Sequence, residues 1–61
     1  MTVRQVVFVG IDAGKAAHHA CAMDADGEVV FSQRVANDQG AIQQLVVRAT
    51  EAATEVRWAV I

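Results

Sequence analysis

The spacing of apolar residues changes twice along this chain, and the two changes limit the folds open to it. Between Gln5 and Val35 apolar side chains come in short runs, too short for helices and rich in valine and phenylalanine. Between Ile42 and Ala53 they recur at three- and four-residue steps, the period of an amphipathic helix. From Glu55 to Ile61, "EVRWAVI", the strand-like run returns. The predicted order is β-β-β-α-β, an α/β unit. A helical crossover returns the chain in the direction in which it left, so the fourth strand is expected parallel to a strand of an antiparallel three-strand meander, placed beside the first.

Within that order the first strand, "QVVFVGID" at residues 5–12, is apolar on both alternating faces, as a central strand covered on each side would be. Gly14 and Lys15 break the run, and "AHHACAMD", Ala17 to Asp24, makes a second strand that its alanines weaken. Ala25, Asp26 and Gly27 form a short loop whose Asp-Gly pair suits the positive φ angles of a tight hairpin turn. In "EVVFSQRV" Val29, Phe31, Gln33 and Val35 share one face, and Val30, Ser32 and Arg34 the other. Asn37 or Asp38 caps the helix through a side-chain oxygen. Its apolar stripe is Ile42, Leu45, Val46 and Ala49, continued by Ala52 and Ala53, with Gln43, Gln44, Arg48 and Glu51 off it. Gly40 costs the helix up to about 1 kcal/mol relative to alanine.

A chain of 61 residues can bury only a thin core, yet 54% of its residues are hydrophobic. Much of that apolar surface is therefore expected to pack on something else. Residues 1–61 are expected to be one incomplete domain, truncated after the fourth strand, with the third and fourth strands as sheet edges that favour self-association. The formal net charge of −2 gives no basic footprint of a free-standing nucleic-acid binder. A single cysteine excludes an internal disulfide. No signal-peptide pattern is present, and no apolar run approaches the roughly 18 to 20 residues of a membrane span, so a reducing cytoplasm is the default location.

The residue that most invites a chemical reading is Asp12. An acid at the carboxyl end of a buried strand stands where open α/β sheets place their ligands. It has to be solvated, paired or bound to a metal there. Magnesium, which prefers oxygen and keeps several waters, suits one or two carboxylates at a sheet rim. The plainer reading of Asp12 is a strand-ending loop cap. Lys15 can neutralise a phosphate or simply be a solvated loop lysine. His18 and His19 alternate to opposite faces and cannot share one site; a strand histidine is more often a packed or surface residue than a metal ligand. Cys21 lies on a face with His19 and Met23 and reads as part of a core stripe. Asp24 and Asp26 flank the turn and shape it by local hydrogen bonds, and Trp58 reads as a core or interface anchor rather than a base-stacking platform.

The stretch "VGIDAGKAAHHACAMDADGEVVFSQRVAND", followed by a helix and "VRWAVI", resembles the start of the DEDD transposases of insertion-sequence family 110. The resemblance covers essentially the whole chain. It implies the first half of a ribonuclease H-like domain, related to Holliday-junction resolvases, with Asp12 as the first catalytic acid and metal ligand. The second acid would directly follow the fourth strand and two more would lie much further along. It also implies magnesium, DNA as substrate, the rest of the transposase as partner with a guide RNA as a further candidate, and no DNA cleavage by this chain alone. Asp12-Ala13-Gly14 is similar as well to the Asp-x-Gly phosphate turn of actin-like and sugar-kinase ATPases, which share the same opening order. The threonine or serine and the richer glycine content usual in that turn are missing from "KAAHH" at residues 15–19.

Overall fold

A computed structural model describes residues 4–60. The strands β1 (Arg4–Asp12), β2 (Ala17–Asp24) and β3 (Val29–Ala36) are followed by the helix α1 (Gln39–Ala52) and the strand β4 (Ala53–Val60). They form one sheet in the order β3-β2-β1-β4. β1 pairs antiparallel with β2 and β2 with β3, whereas β1 and β4 run parallel, with Val7 beside Val56 and Ile11 beside Val60. The expected α/β order and the parallel first and fourth strands are both present. β3 and β4 are the sheet's edges, as the sequence reading placed them.

The hairpin between β2 and β3 turns by a variant of the expected geometry. Gly27 alone has positive φ, at 83°, and its amide donates to the Asp24 carbonyl at 3.0 Å. Ala25 and Asp26 are thus the central residues of the turn, and the glycine after them carries the left-handed conformation, the three-residue alternative to a two-residue Asp-Gly turn. The Asp24 carboxylate accepts the amides of Asp26 and Glu28, each at 3.0 Å, and faces the Arg4 guanidinium at 3.3 Å. The amide of Glu28 first, helped by that of Asp26 and by Arg4, holds its carboxyl below the usual aspartate value.

Asp38, not Asn37, caps α1. Its backbone is extended and its Oδ1 accepts from the Ala41 amide at 2.8 Å. The helix ends at Ala52 without a loop, because Ala53 is already extended (φ −153°, ψ 158°). β4 therefore starts two residues earlier than the expected Glu55, and Ala53 belongs to the strand rather than to the helical stripe. Ile61, the expected last residue of that strand, lies outside the described residues.

α1 covers one face of the sheet. Val7 and Val9 of β1, Ala20 and Ala22 of β2 and Phe31 and Val35 of β3 meet Leu45 and Ala49 of the helix in the core. Among the described residues no element covers the other face, which corrects two expectations. β1 is covered on one side only, so Phe8, one step out of phase with Val7 and Val9, stays 44% exposed. The His19, Cys21 and Met23 stripe pairs with Asp12, Gly10 and Phe8 and lies on this open face, leaving Met23 41% exposed; the core stripe of β2 is Ala20 and Ala22. Trp58, read as a core or interface anchor, is 42% exposed on an edge strand, which removes the core alternative. One helix is too narrow to cover four strands on both sides.

Leu45 is 3% exposed and contributes the largest helix side chain to the core. Leu45→Ala is expected to cost about 2–5 kcal/mol, enough to unfold a domain of this size, read as lost cooperativity in thermal or urea denaturation. For Asp24 the native pKa is depressed, so its contribution to stability is present above the unfolded value of about 3.9 and is lost as pH falls through the lower native value. A carboxyl titration by NMR is expected to place its midpoint below the ordinary aspartate value, and an unshifted midpoint would show the turn to be open in solution.

Candidate functional site

Asp12 ends β1 at the edge opposite the β2–β3 turn, since β1 meets Asp24 at Val7 and His19 at Asp12. It is exposed and has no ion-pair partner among the described residues. β1 and β4 pair in register up to Ile11 and Val60, so the carboxyl end of β4 comes alongside the strand position that carries Asp12. The loop after Asp12, residues 13–16, is tightly bent at Gly14, where a Cβ would run into the backbone carbonyl of Ala17. That close approach, rather than a positive φ, is what requires glycine in "DAGK".

The loop is tied down from both sides. The Gly14 amide donates to His18 Nδ1 at 3.1 Å, and His18 Nε2 lies 3.2 Å from Asn37 Oδ1. Asn37 Nδ2 donates to the Lys15 carbonyl at 3.0 Å, and the Asn37 amide donates to the Ala16 carbonyl at 3.1 Å. His18 stands at the rim of an apolar cleft of about 210 Å³ between sheet and helix, lined also by Ile11, Val35, Leu45 and Val60. Its ring thus has an apolar side and two polar ends, both of which find partners.

The two residues singled out for chemistry, Asp12 and Lys15, fall on the same strand end and loop, three positions apart. Lys15 is exposed, and among the described residues only its backbone carbonyl is engaged. His18 and His19 diverge to opposite faces as expected, His19 bonding Ser32 Oγ at 2.6 Å on the open face. Among the described residues no group of three or more His, Cys, Asp or Glu side chains comes together to hold a metal. Asp12 supplies one carboxylate. The role of Asn37 was missed in sequence because its competing reading, a helix cap, needed only the next residue along.

A meander of three strands, a crossover helix and a parallel fourth strand, with a carboxylate where the first strand ends, is the α/β arrangement expected from the resemblance to a ribonuclease H-like domain. The model of the DEDD transposase family of insertion sequence 110, described as "Transposase", matches residues 9–61, and the chain belongs to that family. It is 54% identical over 54 residues to the insertion element IS116 uncharacterized 44.8 kDa protein of Streptomyces clavuligerus, a match covering 88% of this chain and 13% of that protein. It is 43% identical over 58 residues to the insertion element IS900 uncharacterized 42 kDa protein of Mycobacterium paratuberculosis, covering 92% of this chain and 14% of the relative. The chain thus spans about one-seventh of the length of these relatives. No solved structure matches it.

Gly14→Ala is expected to displace the loop, because the clash is with backbone and no side chain can yield. The cost should fall within the usual 0.5–3 kcal/mol or so of single substitutions. Amide shifts confined to residues 12–18 and Asn37, with the resonances of residues 21–33 unmoved, are the expected record by NMR.

Proposed function

We propose that this chain is the opening segment of the catalytic domain of a DNA transposase, and that Asp12 is the first of the acids that hold magnesium there. The observation that carries the reading is the in-register parallel pairing of β1 with β4. It supports a site in which an acid next along the chain after the fourth strand comes within reach of Asp12. The exposed carboxylate fits one oxygen ligand of a magnesium ion, and the remaining ligands would come from elsewhere in the longer protein. Bound magnesium would polarise a DNA phosphodiester and stabilise the attacking and leaving oxygens of an in-line displacement.

The chain's own residues have simpler tasks. Asp12 binds the metal, the backbone of residues 13–16 sets where its carboxylate stands, and exposed Lys15 neutralises a neighbouring phosphate. With one acid in place the chain by itself is inactive. Its open sheet face and bare β3 and β4 edges favour self-association or cover by the rest of the transposase, in a cytoplasmic protein whose partners are DNA and, by family resemblance, a guide RNA. No helix among the described residues is long and apolar enough to cross a membrane. Family membership supports this reading, and nothing in the comparisons supports the actin-like ATPase alternative.

The test is metal-dependent NMR. Millimolar magnesium is expected to shift the Asp12 carboxyl and the amides of residues 12–15, manganese to broaden the same signals, and Asp12→Asn to abolish both responses. In the full-length transposase the same substitution should remove strand cleavage and leave DNA binding intact. Cleavage that survives Asp12→Asn would refute the assignment.

A further inference from the structure

Of the two histidines, His18 engages partners through both ring nitrogens, Gly14 of the loop after Asp12 and Asn37 at the junction of β3 and α1. We propose that His18, fixed in a single neutral tautomer and locked by Asn37, is the positioning residue that holds the Asp12 carboxylate in place for its metal. The inference rests on the reading of Asp12 above and adds a residue to it.

The direction of every bond in the network follows from its unambiguous members. A backbone N–H can only donate, so Gly14 donates to His18 Nδ1 and that nitrogen carries no proton. The Lys15 carbonyl can only accept, so the atom of Asn37 facing it is the Nδ2 donor, and Oδ1 is left for the ring. Nε2–H of a neutral imidazole then completes the chain as donor to Oδ1. Gly14 N–H to His18 to Asn37 to the Lys15 carbonyl is a closed circuit whose two ends lie on adjacent residues of the same loop.

The circuit also joins three elements. His18 belongs to β2, paired with Val35 of β3, and Asn37 sits at the junction of β3 and α1, one residue before the helix cap Asp38. The loop next to Asp12 is thus referenced to the core through the sheet and to the helix at once. A protonated ring has donors at both nitrogens and cannot accept from Gly14, so the circuit requires the uncharged imidazole. Asp12 itself stays free of protein partners among the described residues. Its backbone is held by the β1–β2 ladder on one side and runs into the tethered loop on the other, while its oxygens remain available, the arrangement a metal-ligand carboxylate needs.

Three variants separate positioning from plain structural support. His18→Gln retains one acceptor and one donor, His18→Phe keeps a planar ring with neither, and Asn37→Ala cuts the circuit without touching β2. In the wild-type chain, ring ¹⁵N shifts should show the Nε2–H tautomer, and a coupling across the Gly14 N–H···Nδ1 bond should be measurable. His18→Phe and Asn37→Ala should lower the order of residues 13–16 in ¹⁵N relaxation with the sheet amides unchanged, and weaken manganese broadening at Asp12 about two- to tenfold, the range one hydrogen bond's net contribution allows. His18→Gln should restore most of both. An Nδ1–H tautomer, unchanged loop order in both circuit-breaking variants, or manganese broadening as strong in them as in the wild type would overturn the inference. Absent manganese broadening in the wild type refutes the metal reading instead, and the tautomer and relaxation results then decide the circuit alone.

Discussion

The rest of the structure depends on the parallel ladder between β1 and β4. The two strands are separated by the whole of the meander and the helix, and the hydrogen bonds from Arg4 and Ala53 to Ile11 and Val60 close that interval. Such pairing is entropically costly to form and is repaid only if the crossover is covered. Leu45 and Ala49 of α1 provide the cover over Val7 and Val9, so the ladder and the core are two aspects of one event. Once it forms, β1 is the inner strand of the parallel pair and its carboxyl end is brought level with the end of β4. The acid at position 12 owes its setting to contacts made some forty residues further along the chain.

Much of this was legible from the order of residues, for reasons that differ from element to element. The element order followed from the switch between two hydrophobic periods, and parallel pairing followed from the switch back. The helix cap was legible to within one residue, since Asn37 and Asp38 have the same short polar reach and only the backbone decides which of them turns toward Ala41. Sidedness was harder to read. In β1, Val6 to Val9 are apolar at every position, so alternation could not say which face the helix takes. In β2, His19, Cys21 and Met23 looked the more core-like set, yet the small Ala20 and Ala22 occupy the core because a helix packs closely over alanine.

Of the site, the carboxylate and its strand end were visible in "GIDAGK" and the means of holding the loop were not. Gly14 stood out as a breaker, but its contact with the Ala17 carbonyl exists only once the loop has folded. His18 and Asn37 are nineteen positions apart and meet through the pairing of β2 with β3. Neither carries a signature in its neighbours.

The absence of any residue between α1 and β4 has a mechanical side. Ala52 closes the helix and Ala53 opens the strand, so a rod of about 21 Å is welded at an angle to a ladder strand with no slack at the corner. The outer surface of that rod, where Gln43, Val47 and Glu51 are exposed, is thus joined to β4 with no intervening loop. β4 is bound to β1 on one side and free on the other, and its last described residue, Val60, pairs with Ile11 next to Asp12. The helix and the strand that ends beside the carboxylate are in that sense one continuous, jointless piece of backbone.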